Sequence, residues 1–166
     1  MTQFTHLDIK GKAKMVDVTA KGATVRQAVA RGKALMKPST VWAIEEGGFA
    51  KGDVLGVSRI AGIMAAKKTG DIIPLCHPLE ITGVDISFSC DQSKGEILVE
   101  AAARTVGKTG VEMEALTAVS VALLTLYDMC KSADRSMILS DIHLIKKSGG
   151  RSGTFVGSKR SPGKKD

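Results

Sequence analysis

Between Leu79 and Thr105 the sequence alternates twice around a polar break, and that pattern leaves little choice of local structure. In the first run Val84, Ile86 and Phe88 fall on one side, with Ile81, Gly83, Asp85 and Ser87 on the other. A period of two sends successive side chains to opposite faces of a strand. Gln92-Ser93-Lys94-Gly95 then supplies turn residues, and Glu96 to Thr105 alternates again. A β-hairpin is expected here.

The flanking segments supply the rest of a mixed architecture. Glu112 to Ser132 reads as a long helix, apolar nearly all round, and so belongs at the centre or at an interface. Met137 to Lys146 alternates once more and reads as a closing strand. Thr24 to Met36 fits either strand or helix. Its Val25, Val29 and small Ala28, Ala30, Gly32 and Ala34 suit a strand packed closely against something, but periodicity leaves both open. A helix over Ser39 to Glu46 opens at Pro38-Ser39-Thr40 and stops at Gly47-Gly48. Asp53 is expected to cap a second helix running to about Lys68, with Val54, Val57, Ile60, Ala61 and Met64 on one face and Gly70 as its stop. Strands flanking helices, with adjacent antiparallel pairing, predict an α+β fold: an antiparallel sheet with helices packed on one face.

Composition bounds the function classes. At 166 residues, 43% of them hydrophobic, the chain can bury one core, built from aliphatic side chains because aromatics are only 4%. Residues 1–14 read as a flexible N-terminal segment, 15–153 as a single catalytic domain and 154–166 as a basic C-terminal tail. The net charge of +7 is concentrated at that end, since seven Lys or Arg from Lys146 onward face only Asp166. A nucleic-acid binder more often spreads basic residues over its fold with aromatics for stacking, so nucleic acid is not expected as a partner. Cys76, Cys90 and Cys130 are widely spaced and form no CxxC pair, which suggests neither a disulfide framework nor a zinc site. There is no apolar signal stretch, and the weakly polar run Ala115 to Tyr127 is too short to span a bilayer. A reduced, cytoplasmic protein with no membrane partner is expected.

Four segments could carry chemistry. In Pro74-Leu75-Cys76-His77-Pro78-Leu79 two prolines stiffen the loop that presents Cys76 and His77, although a plain turn with a solvent-facing His reads equally well. Gly107-Lys108-Thr109-Gly110 resembles a phosphate loop, but Ala102 stands where a Walker motif needs its first Gly. What survives is a glycine turn feeding a helix N-terminus, where Glu112 and Glu114 either suit the helix dipole or serve a site. Asp128 and Lys131 lie three apart on the long helix and share a face. They are a surface ion pair or, if the apolar helix leaves Lys131 partly buried, a proton donor and acceptor. Lys146 to Gly153 combines glycines, serines and three cations, which suits polyphosphate as well as a flexible basic tail.

Glu114 and Asp128 are fourteen residues apart on one helix, which separates them by ~21 Å. Both cannot surround one reacting atom within a subunit. A homo-oligomer with a shared site is therefore expected. Rival readings are a non-catalytic nucleotide-binding module and an RNA-binding sheet, the latter disfavoured by the scattered aromatics.

Taken together, Met15-Val16-Asp17-Val18, Lys51-Gly52-Asp53-Val54, Arg59 to Ile63, Ile73 to Leu79, Gly107 to Leu116, Tyr127 to Lys131 and Lys147 to Gly150 resemble the molybdenum cofactor biosynthesis protein C family. The resemblance implies a ferredoxin-like domain assembling as a hexamer, a trimer of dimers, with sites at subunit contacts. It implies a lyase acting on 3′,8-cyclo-7,8-dihydroguanosine triphosphate and yielding cyclic pyranopterin monophosphate and diphosphate. Asp128 matches the family's catalytic aspartate, and Lys131 and Lys51 its acid–base lysines. Leu75, Cys76 and His77 match one substrate-binding segment and Met113 with Glu114 another, beside Glu112. Arg26 and Lys147 match residues associated with substrate or phosphate. No cofactor or resident metal is called for, although Mg²⁺ could accompany the triphosphate.

Overall fold

The structure, a computed structural model, describes residues 11–157. Part of the expected flexible N-terminal segment (1–10) and of the basic tail (158–166) lies outside the described residues. Thr24–Leu35, left open between strand and helix by its periodicity, is strand β1. Ala28, Ala30, Gly32 and Ala34 are buried on one face, while Val29, Arg31 and Lys33 between them are half-buried. Short-range pattern could not decide this, because Ala-rich segments suit helices equally well. Pairing decides it: β1 forms ladders on both edges.

The helices α1 (Pro38–Glu45), α2 (Val54–Lys67) and the one-turn α3 (Thr69–Ile72) follow, then strands β2 (Ile81–Asp91) and β3 (Glu96–Gly107). Helix α4 (Glu112–Cys130), strand β4 (Ile138–Ser148) and the short β5 (Phe155–Val156) complete the order. The sheet runs β2-β3-β1-β4-β5 with every pair antiparallel. A βαββαβ chain with β3 and β1 central is the ferredoxin-like arrangement. The hairpin expected from alternation is β2–β3, closed by Gln92 to Gly95, with Gly95 N–H donating to Gln92 O at 3.2 Å.

One face of the sheet meets the helices. Ile97, Val99, Ala101 and Ala103 of β3 point to the same core as Ala115, Ala118, Val119, Ala122, Leu123 and Leu126 of α4. On the opposite face Arg31 pairs with Glu100 and Lys33 with Glu96 across the strands. Among the described residues α4 is the one helix long and apolar enough to cross a membrane, and 56% of that window is buried inside the fold. It is the central core helix.

Local signals hold at several helix ends. Asp53 caps α2, its Oδ1 accepting from Gly56 N at 2.8 Å. At the end of α1, Gly48 N–H donates to Ala43 O and Gly47 N–H to Ile44 O, the paired bonds of a Schellman motif. Helix α1 opens at Pro38, as the Pro38-Ser39-Thr40 start suggested, with Lys37 before it and no side-chain cap.

At the start of the basic tail β5 adds to β4 through Lys146–Val156 and Lys147–Phe155 pairing. Three expectations are corrected. Gly70 does not stop α2; the helix ends at Lys67 and Gly70 lies within α3. Helix α4 ends at Cys130 rather than Ser132, with Lys131 as its cap. Most informative is α2, whose expected core face points outward: Val57, Ile60 and Met64 are exposed, Ile60 at 61%. The face against α4 is made instead of Ser58, Gly62, Ala65 and Ala66. A β-carbon added to Gly62 would lie 2.8 Å from Ala118 O and 3.3 Å from Ala122 Cβ. The two helix backbones approach so closely that only small residues fit between them.

Candidate active site

Two glycine-bearing turns and one stiffened loop build a continuous cleft at the N-terminal end of α4. The turn after β3 presents Lys108, Thr109 and Gly110, and the end of β4 presents Lys147, Ser148 and Gly149. With Lys21, Arg26, Gln27, Glu112 and Ser152 they line a polar hollow of about 200 Å³. Arg26 enters from β1, its Nε donating to Gly107 O at 2.9 Å and an Nη to Lys108 O at 3.1 Å. Gly150, at φ +72°, leaves the room this guanidinium needs: an added β-carbon there would collide with an Arg26 Nη. Lys147 Nζ donates to Glu112 Oε1 at 2.7 Å.

The second part of the cleft, about 420 Å³, shares Lys21, Thr109, Gly110 and Glu112 with the first. It is lined further by Leu75, Cys76, His77, Leu79, Met113 and Glu114, and by Val16 and Val18 from the N-terminal segment. Its walls are half apolar, as a flat heterocycle requires, while the first hollow is almost wholly polar. Glu114 is only 3% exposed. Burial pushes its carboxyl above the ordinary range, and the neighbouring Glu112 charge adds to this. Burial and then Glu114 likewise raise the Cys76 thiol. His77 Nε2 sits 2.7 Å from the main-chain oxygen of Val16.

Eight sequence-derived candidates therefore meet in one place: Arg26, Leu75, Cys76, His77, Glu112, Met113, Glu114 and Lys147. The other three do not join them. Asp128 and Lys131 lie at the far end of α4, and Lys51 reaches them from the loop between α1 and α2. Lys131 Nζ pairs with Asp128 Oδ1 at 2.6 Å. Lys51 Nζ donates to Asp128 O at 2.8 Å and lies 3.4 Å from Asp128 Oδ2. Of the two arrangements left open for Lys131, surface ion pair or partly buried lysine, the structure shows the first. Lys131 is 52% exposed and Asp128 59%, because α4 turns this stripe, with Leu124, away from the sheet. The hydrogen bond and charge of Lys131, then those of Lys51, hold the Asp128 carboxyl below its usual range, and Asp128 raises Lys131 in return. At neutral pH the pair is carboxylate and ammonium.

Sequence reasoning missed Lys21 and Lys108. Lys108 was set aside with the rejected phosphate-loop motif, yet it stands on the wall of the cationic hollow. Only its neighbour Gly107-Lys108-Thr109-Gly110 turn gave a signal, and that signal could not say which way the side chain faced.

Comparison with known sequences decides the family, because the match to the MoaC family runs over residues 15–150 and takes in every cleft-lining residue except Ser152. The chain belongs to the MoaC family. Relatives named cyclic pyranopterin monophosphate synthase include one from Heliobacterium modesticaldum, 58% identical over 156 residues covering 94% of this chain and 98% of that protein. Another from Roseiflexus sp. is 58% identical over 156 residues, covering 94% and 99%. One from Clostridium acetobutylicum is 56% identical over 152 residues, covering 92% and 94%. The Asp128 cluster and all of the cleft but Ser152 lie within the matched span.

Proposed function

We propose that this member of the MoaC family is a lyase of molybdenum cofactor biosynthesis. It converts (8S)-3′,8-cyclo-7,8-dihydroguanosine 5′-triphosphate to cyclic pyranopterin monophosphate with release of diphosphate. The observation that carries the reading is the two-part cleft. A polar hollow with Lys21, Arg26, Lys108 and Lys147 opens directly into a half-apolar chamber walled by Cys76, His77, Met113 and Glu114. A nucleoside triphosphate derivative has the same division into a polyanion and a flat base.

The reaction needs two kinds of help. Opening and re-closing the purine-derived ring moves several protons, which the Asp128 carboxylate can accept and the Lys131 and Lys51 ammonium groups can donate. Forming the cyclic phosphate requires a ribose hydroxyl to attack phosphorus while diphosphate leaves. Arg26, Lys147 and Lys108 would stabilise the charge gathering on the phosphoryl oxygens. No His, Cys, Asp or Glu cluster among the described residues gathers three such ligands. Any Mg²⁺ would arrive with the triphosphate and be held mainly by it.

The separation along α4 supports a shared site. Asp128 lies ~21 Å from Glu114 by helix rise, so the cleft of one protomer would be completed by the Lys51–Asp128–Lys131 cluster of another. Exposed Val57, Ile60, Met64 and Leu124 supply the apolar surface that such an assembly, a hexamer in this reading, would cover. A cytoplasmic location goes with this reading.

The test incubates the purified protein with the cyclised triphosphate and follows diphosphate and the pterin product by mass. Lys131→Ala and Asp128→Asn are expected to lower turnover by at least ~100-fold with the fold retained. A well-folded wild type that binds the triphosphate without turning it over would instead be a nucleotide-binding module.

A further inference from the structure

A neutral imidazole carries one N–H and one lone pair, and which nitrogen holds which decides what the ring can do. His77 Nε2 is 2.7 Å from the main-chain oxygen of Val16. A carbonyl oxygen only accepts, so the hydrogen bond exists only if Nε2 carries the proton. We infer that the Val16 carbonyl is a positioning group that locks His77 in the Nε2–H tautomer and leaves Nδ1 as the nitrogen that serves the ligand. The inference rests on the substrate reading of the cleft given above. Its tautomer part stands without it.

The carbonyl is itself held in place. Asp17 Oδ1 accepts from Thr19 N at 2.8 Å, Lys21 N–H donates to Val18 O at 3.0 Å, and Lys108 Nζ donates to Thr19 O at 2.9 Å. Residues 16–21 thus form a strap along the chamber, with Val16, Val18 and Lys21 on its wall. On the other side Pro74 and Pro78 restrict the loop that carries His77. The ring is clamped between two constrained segments, and Nδ1 makes no hydrogen bond among the described residues.

A chemical consequence follows. Nε2 donates to the carbonyl whether the ring is neutral or protonated, so any proton that His77 gains or loses moves at Nδ1. His77 can then accept from, or return a proton to, a group in the chamber without breaking its anchor. The charged or titratable groups that share the chamber are Lys21, Cys76, Glu112 and Glu114. A ring free to flip would divide its population between two tautomers and lose that preorganisation.

The test is nitrogen-detected NMR of full-length protein labelled with ¹⁵N-histidine. The chain has three histidines, and the resonances missing from His77→Gln identify the ring. A pyrrole-type Nε2 with a pyridine-type Nδ1 in the neutral form is expected; the reverse pattern or an averaged pair overturns the inference. Asp17→Ala, which loosens the strap, is expected to move these shifts toward the averaged pair and to change the pH profile of kcat. Unchanged shifts in that variant would refute the positioning role of the strap. Asparagine reaches about as far as Nδ1 and glutamine as far as Nε2, and neither amide exchanges a proton at neutral pH, so both variants should lose kcat while His77→Asn keeps KM for the cyclised triphosphate at least ~10-fold below that of His77→Gln. The opposite order would assign the ligand contact to Nε2. Because the tautomer is read without turnover, failure of the proposed reaction and failure of this inference are distinguishable.

Discussion

Glu114 shows how a residue on the wall of the candidate site can oppose stability. In the unfolded chain its carboxyl titrates in the ordinary range, near ~4.3. In the folded chain burial raises it. Between the two values the folded protein keeps a proton that the unfolded chain has released, so this group makes stability fall as pH rises through that window. The penalty is fully present above the raised value. Glu114→Gln should therefore unfold at higher denaturant concentration than wild type, by a margin that grows as pH rises out of the acid range, while turnover drops. Equal midpoints at every pH would show that the buried carboxyl is compensated. The candidate residue types at 75–77, 112–114 and 128–131 were all visible in the sequence. The environments were not: Lys131 lies on an exposed stripe, and Glu114, two residues into a helix start, is enclosed.

At the scale of elements, the packing of α2 on α4 is decided by absence of side-chain bulk. Gly62→Ala should gain helix propensity of ~1 kcal/mol in isolation, yet the new methyl would meet the Ala118 carbonyl and Ile86. A net destabilisation of about 1–3 kcal/mol is expected in chemical denaturation. Ser58 on the same face provides the contrast. Its hydroxyl is fully buried with no hydrogen-bond partner among the described residues, so Ser58→Ala should be neutral or stabilising by up to about 1 kcal/mol. A destabilised Ser58→Ala together with a stabilised Gly62→Ala would mean that the two helices are not in close contact in solution. The period-3.6 pattern of α2 was read correctly as a helix and wrongly as to its inner face, since large apolar side chains are ordinarily the buried ones. Here they are left outside.

At the scale of the molecule, those outward residues and the divided site make one demand. Val57, Ile60 and Met64 on α2 and Leu124 on α4 are exposed in the single chain, and the candidate groups lie at opposite ends of α4. The protein is expected to sediment well above the mass of one 17.5 kDa chain, and Ile60→Glu with Met64→Glu should lower both the assembly and the turnover. Full activity in a species that sediments as a monomer would place all the chemistry in the cleft of one chain.

The sequence by itself determined the elements whose signals are local: the β2–β3 hairpin from its alternation, the α2 start from Asp53, and the α1 stop from Gly47-Gly48. It also marked most of the candidate chemistry, because a Cys-His pair between prolines and a Lys-rich glycine turn carry their meaning in adjacent residues. Tertiary structure alone decided that Thr24–Leu35 is a strand, since an Ala-rich segment acquires that state by pairing on both edges. It alone decided which face of α2 is buried, that Lys21 and Lys108 join Arg26 and Lys147, and that residues 16–21 reach His77. In each of these cases the deciding contact joins segments far apart in the chain, and no local pattern encodes the direction from which a distant neighbour arrives.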